Sequence, residues 1–202
     1  MCNISAAYSL NNIKVQEKRN TNIKEGEYLL IQHASDGNAE AFGKLYDMHL
    51  NSIYRYVYYH VGNIADAEDI TQKVFLKAWQ AIARYRKKKS PFLAWLMTIS
   101  HNAVIDFYRT KKDKVEVDDK TLDDDIKSSP EQSAESLFEQ ESLRKAILKL
   151  GYVMQQVLVL RLIEGFKFLE IASLLGKSEG AVRVIFHRAL VKLKKILEKE
   201  NY

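Results

Sequence analysis

A single cysteine, Cys2, leaves this chain unable to form an internal disulfide. Its two prolines and eight glycines among 202 residues are few for a fold built on tight turns. No stretch approaches the roughly 18 uninterrupted apolar residues of a membrane span. The opening "MCNISAAYSLNNIKVQEKRN" also lacks the basic-then-apolar pattern of a secretion signal. These absences predict a cytoplasmic protein in a reducing compartment, without membrane insertion. The histidines, His33, His49, His60, His101 and His187, lack the paired spacing of a zinc site, so no metal and no other cofactor is predicted. No nucleophile stands beside a base, and no G-x-x-x-x-G-K-[ST] loop is present. No catalytic residue is assigned, and the expected protein is not an enzyme.

What the sequence does contain is helical pattern and charge. With 47% hydrophobic and 28% charged residues, the composition predicts a soluble all-α protein. The formal net charge of +5 permits a polyanionic partner, and its distribution says more than its sum. Residues 113–137 carry nine carboxylates against three lysines, a local −6, so the rest of the chain carries +11. That acidic stretch reads as a solvated linker between two basic helical domains. The expected division is a flexible extension at 1–24, a helical domain at 25–112, the linker at 113–136 and a second helical domain at 137–202.

In the first domain, Phe42, Leu45, Tyr46, His49, Ile53, Tyr56 and Val57 recur at spacings of three and four, the mark of one buried helix face. Gly62-Asn63 supplies a turn. The stretch "DAEDI" then places carboxylates in the first turn of a helix whose inner stripe is Ala67, Ile70, Thr71, Val74 and Ala78. A basic run, "RYRKKKSP", ends at Pro91, which can open the next helix, "FLAWLMTISHNAVIDFYR". Beyond the linker, "LFEQESLRKAILKL", "VMQQVLVLRLIEG", "FLEIASLLG" and "SEGAVRVIFHRALVKLKKILEKE" read as four more helices.

The last two carry a helix-turn-helix spacing. Ala172 is small where the second helix crosses, Gly176 tolerates positive φ in the turn, and Val182 anchors the second helix. Ser178 is its candidate N-cap, with no reciprocal capping box because Ala181 stands where Glu or Gln would be needed. Val182, Ile185, Phe186, Ala189 and Leu193 share the inner face; Gly180, Arg183, Val184, His187 and Arg188 share the outer one. The outer set starts at the helix N-terminus, the end that enters the major groove in this motif. Taken alone the helix leaves three readings open: a DNA reader, a helix for a membrane surface or partner groove, or a solvated face. His187 by itself reads more readily as a surface histidine than as a base contact.

The segments "DGNAEAFGKLYDMHLNSIYRYVYYHVGNIADAEDITQKVFLKAW", "FLAWLMTISHNAVIDFYR" and "LRLIEGFKFLEIASLLGKSEGAVRVIFHRA" together resemble the bacterial RNA polymerase sigma factors of the extracytoplasmic-function group, in the family's order. The resemblance covers roughly residues 25–112 and 137–198. It implies a specificity subunit that binds core RNA polymerase, at the clamp coiled coil of the largest subunit and at the flap, and directs it to promoter DNA. The first domain is expected to hold the opened −10 strand and the second to bind the −35 duplex. For the −35 element the resemblance implies Arg183, Val184, His187 and Arg188. For the −10 element it implies Tyr85, Arg86, Lys88, Lys89, Ser90, Asn102 and Arg109, with Tyr85 and Asn102 beside a pocket for a flipped base. Aromatic Phe92 and Trp95 suit strand capture, but at helical spacing they suit a core as well. Asp69, Gln72, Lys73 and Leu76 are implied as the polymerase-binding face. Lys73 stands where the family commonly has Glu. Two further departures are Leu150-Gly151 for Leu-Pro and "FKFLEIA" for "LSYEEIA". The family also implies an anti-sigma factor as partner and a linker in the RNA-exit path, although simple spacing explains an acidic tether equally well.

Overall fold

The computed structural model describes residues 25–85, 90–114 and 134–200 of the chain. Among them all regular structure is helical: α1 (25–35), α2 (Ala39–Val61), α3 (Ile64–Ala81), α4 (Phe92–Lys114), α5 (Ala134–Leu148), α6 (Tyr152–Leu158), α7 (Phe168–Leu175) and α8 (Glu179–Glu200). A short 3-10 turn, Ile82–Arg84, follows α3, and α6 runs on through one wide π-helical stretch, Val159–Ile163.

Helix ends follow local chemistry. Helix α1 is followed by Gly37, which adopts φ +92°, and α2 then starts under a side-chain cap in which Ala41 N–H donates to Asn38 Oδ1 at 3.0 Å. Asn63 caps α3 in the same way, accepting from Asp66 N–H at 3.0 Å. That places the start of α3 at Ile64, two residues ahead of Asp66. The carbonyl of Pro91 accepts from Trp95 N–H at 3.1 Å, so the proline sits just ahead of α4, where its missing N–H costs nothing.

By packing, the described residues form two compact units: 25–48 with 79–85, and 49–78 with 90–114 and 134–200. In the smaller unit, Ile31, Ala34, Ala41, Leu45, Ile82 and Tyr85 are buried, and Phe42 and Trp79 meet at 4.9 Å between ring centroids. The larger unit buries the whole predicted stripe of α3, with Ile53, Tyr56 and Val57 of α2 and Leu96, Met97 and Val104 of α4. From the C-terminal helices it buries Ile147, Val157, Leu158, Leu160, Ile171, Val182, Ala189 and Leu193.

Residues on either side of the acidic stretch therefore belong to one packed unit, joined by the ring of Tyr152 against His60, His101 and Tyr108 and by polar contacts. Arg144 donates to the carbonyl of Gly62 at 2.7 Å, and Gln156 Nε2 lies 2.5 Å from His101 Nδ1. Arg55 grips the nearly inaccessible carboxylate of Glu164 through two N–H groups at 3.1 and 3.2 Å. A planar guanidinium matches a carboxylate in this two-pronged way, which sets the relative orientation of the elements that carry them.

Candidate nucleic-acid interface

The C-terminal pair of helices forms the predicted motif residue by residue. Gly176 ends α7 in the left-handed region at φ +63°, where Lys177 N–H returns to the carbonyl of Ala172 at 2.9 Å. Ser178 Oγ accepts from Ala181 N–H at 3.2 Å and caps α8. Val182 is fully buried and Ala172 nearly so, fixing the crossing of the two helices. The opposite face is open: Arg183, Val184, His187 and Arg188 are all exposed, Val184 by half.

Three features of this face were not read from the sequence. Lys192, Lys195 and Lys199 continue the line of Arg188 along α8, all of them exposed, at spacings of four and three that were there to be seen. Arg183 is already engaged: its Nε and Nη2 both donate to Glu179 Oε1, at 3.1 and 2.5 Å, and its guanidinium lies 4.6 Å from the Phe168 ring centroid. Phe168 in turn touches Phe186 edge-on at 5.3 Å and carries a second guanidinium, that of Arg161, at 4.7 Å. The contacts of Phe168 join three helical segments and have no periodic signature.

The residues expected at the −10 element fall differently. Arg86, Lys88 and Lys89 lie outside the described residues. Asn102 and Arg109 are exposed on α4, two turns apart on one face, and Ser90 is half-buried ahead of that helix. Tyr85 is only 8% exposed and belongs to the smaller unit, so its ring is packed rather than presented to a base. Burial raises its phenol pKa, with the nearby charge of Glu27 adding to the effect. Phe92 is core, 2% exposed, between His49 and Trp95, whose rings lie 5.5 and 5.4 Å away. The structural role of Phe92 prevails because its position faces inward on α4.

On α3, Asp69, Gln72, Lys73 and Leu76 are all exposed and follow one another down a single line. Leu76 is 57% exposed and gives the outward line of α3 an apolar side chain among its polar ones. Lys73 forms an ion pair with Asp69, so it offers a neutralised pair to a partner instead of a bare cation. Lys77 reaches toward Asp106 of α4 at 3.8 Å across a cleft of 390 Å³. Such a mixed apolar and charge-balanced surface suits a protein partner better than a phosphate backbone.

Among the described residues, no cluster of His, Cys, Asp or Glu could hold a metal ion, and no helix is long and apolar enough to cross a membrane. The sequence matches the family descriptions "Sigma-70 region 2" over residues 45–114 and "Sigma-70, region 4" over residues 140–193. It is 35% identical over 170 residues to the ECF RNA polymerase sigma factor BldN of Streptomyces coelicolor, covering 83% of this chain and 64% of BldN. It is 33% identical to the RNA polymerase sigma factor YlaC of Bacillus subtilis (78% and 92% covered) and 30% identical to the ECF sigma factor SigW of the same organism (83% and 94% covered). In structure it resembles CnrH in complex with the cytosolic domain of CnrY, with a TM-score of 0.66 at 26% identity over 86% of this chain and 98% of that one. The sigma factor RpoE of Bartonella quintana, solved with the anti-sigma factor NepR, shares the fold at a TM-score of 0.67 and 21% identity over 79% of this chain and 98% of that one. The chain therefore belongs to the sigma-70 family as an ECF RNA polymerase sigma factor, a protein of promoter-specific transcription initiation with RNA polymerase.

Proposed function

We propose that this sigma factor docks on core RNA polymerase through the exposed line Asp69, Gln72, Lys73 and Leu76 of α3, and reads promoter DNA through α8 and α4. The observation that carries the reading is the open outer face of α8, with Arg183, Val184, His187 and Arg188 exposed beside a fully buried Val182. These four residues contact the −35 duplex. Asn102 and Arg109 contact the −10 element, together with Ser90 and the basic run containing Arg86, Lys88 and Lys89. Tyr85 reaches a base only if its packing in the smaller unit changes. On the polymerase the chain functions as two domains, 25–112 and 137–202, joined by the acidic stretch, which requires contacts across that stretch such as Arg144 to Gly62 to open, and the chemistry of transcription remains with the cytoplasmic polymerase. Its clamp coiled coil and flap are the docking partners. RpoE was solved with an anti-sigma factor; we extend such a partner to this chain because a surface carrying an exposed Leu76 is one that a regulator gains by covering.

The test is initiation itself. Purified chain mixed with core RNA polymerase and a library of genomic promoters should yield transcripts starting at a defined promoter class; starts no more selective than those of core enzyme alone would refute the proposal. Within that system, Leu76→Asp should weaken core binding by tenfold or more. Covering the exposed part of a leucine is worth about 1–2 kcal/mol, and a buried carboxylate adds a desolvation cost. Competition binding to labelled core enzyme reads this directly, and an unchanged affinity would remove Leu76 from the interface.

Arg183→Ala should cost about 1–3 kcal/mol of discrimination at one −35 base pair, the usual worth of a two-pronged contact to guanine. Binding assays on promoter fragments changed at single positions distinguish this from a phosphate contact, which would weaken every fragment alike. Lys192, Lys195 and Lys199 are expected to behave in that second way, each lowering the salt dependence of binding by about one unit of slope when replaced by Gln.

A further inference from the structure

We infer that Phe168 and Glu179 are positioning residues for Arg183, holding its guanidinium in advance so that only the terminal edge is offered to a guanine of the −35 element. The inference rests on the reading of α8 as the −35 helix and adds to it two residues that contact Arg183 rather than DNA.

Arginine has five N–H donors in a rigid plane. In this structure the inner edge is spent within the protein, because Nε–H and one Nη2–H both donate to Glu179 Oε1 at 3.1 and 2.5 Å. Both Nη1 donors and one on Nη2 remain, and the outward pair at the end of the plane has the spacing of guanine O6 and N7. The side chain is 59% exposed, so that outer edge is open. Glu179 fixes where the plane points, and Phe168 limits where it can move, since the guanidinium carbon lies over the ring at 4.6 Å from its centroid, within cation–π range.

The platform is itself anchored. Phe186, on the half-buried side of α8, meets Phe168 at 5.3 Å with the rings at 67°. Arg161 approaches the same ring at 4.7 Å while its Nη1 donates to the carbonyl of Phe166 at 2.8 Å, which keeps this second cation from replacing Arg183. An arginine free to sample its rotamers would lose that freedom on binding; one already stacked and paired has less to lose. Glu179 also sets the sign of errors. Its carboxylate beside the groove offsets the charge of Arg183 and repels phosphate, so the pair weakens contacts that lack the guanine edge.

The experiment uses holoenzyme, this chain assembled with core RNA polymerase, on a selected promoter and on fragments carrying each base substitution in the −35 element. Arg183→Ala identifies the base pair that Arg183 reads. Glu179→Gln and Phe168→Leu are expected to lower discrimination at that same base pair by about 3- to 10-fold, and to add nothing there once Arg183 is Ala. Phe168→Tyr, which keeps the ring, should restore wild-type discrimination. Glu179→Gln should also bind unrelated duplex several-fold more tightly, with a salt slope steeper by about one, because the freed guanidinium then takes a phosphate. If Glu179→Gln and Phe168→Leu leave discrimination intact at the base pair that Arg183→Ala relaxes, the positioning role is overturned while the reading of α8 stands. If Arg183→Ala relaxes no base pair, the −35 assignment of Arg183 falls and takes the positioning role with it. Circular dichroism melts of each variant keep a loss of folding from being counted as a loss of readout, and Glu179→Gln, an isosteric change at a half-buried position in the first turn of α8, carries the test should Phe168→Leu unfold.

Discussion

Arg144→Met is expected to lower the unfolding free energy by about 3 kcal/mol, one of the two largest effects foreseen for a single side chain here. Arg144 is 5% exposed and every edge of its guanidinium is engaged. Nε donates to Glu141 Oε2 at 2.7 Å, Nη2 to the other oxygen of that carboxylate, and Nη1 to the carbonyl of Gly62 at 2.7 Å. The ring of Tyr58 lies 5.0 Å from its centre. Methionine would keep much of the apolar stem but strand a carboxylate only 15% exposed and leave a backbone carbonyl without this donor. Lys145, 3.7 Å from Glu141, would offset part of the loss, which holds the expected value near the lower end for a broken buried pair.

Urea unfolding monitored by circular dichroism measures this, and Arg144→Met combined with Glu141→Gln should recover at least half of the loss by removing the stranded charge. A midpoint shift worth less than about 1 kcal/mol would mean that the pair is no stronger than an exposed one. The same contact explains Gly62. Its φ is +76°, and an added Cβ would lie 2.8 Å from both Arg144 Nη1 and Leu148 Cδ1, so only glycine satisfies the turn and the close approach together. Arg144 lies within the region 4 match and Gly62 within the region 2 match, so the variant also asks whether the two unfold together.

Acid should destabilise the protein through His60. Burial pushes its pKa down from 6.5 to about 4; a hydrogen bond to the Tyr56 carbonyl opposes the shift, and the charge of His101 adds to it. Nδ1 lies 2.6 Å from that carbonyl, which makes Nδ1 the protonated nitrogen, and Nε2 is buried without a partner. As pH falls below 6.5 the unfolded chain takes up a proton that the folded chain refuses until about pH 4. The contribution of His60 is therefore intact above pH 6.5 and is lost across the interval down to pH 4, to a total of about 3 kcal/mol. His60→Phe keeps a ring beside Tyr56 and Tyr152 and removes the titrating group. Its urea midpoint should fall much less than that of the unaltered chain between pH 7 and pH 4.5. Parallel falls in the two proteins would show that His60 does not govern acid sensitivity.

Legibility differed sharply between elements. The stripe Ala67, Ile70, Thr71, Val74 and Ala78 is buried at every position, because an amphipathic helix writes its inner face into the sequence at a fixed period. The turn of the helix-turn-helix was equally legible, since Gly176 and Ser178 do their work through local φ and a local cap. Tyr85 shows where such reading ends: the family resemblance implied a pocket for a base beside it, and the smaller unit buries it. Asn102 lies on the exposed face of α4.

By itself, the sequence determined the all-α class, nearly every helix, the outer face of α8 and, through its joint motifs, the family. Periodicity, capping and turn chemistry act over a few residues, so they survive in a one-dimensional record. Only the tertiary structure decided that Arg144 closes on Gly62, that His101 meets Gln156 and that Arg183 rests on Phe168 against Glu179. Two of these contacts join residues 82 and 55 positions apart, and the third closes across the turn of a helix-turn-helix. Nothing in local propensity couples such residues; they meet because burying several apolar helix faces at once leaves few arrangements, and polar side chains inside those arrangements must find partners or titrate.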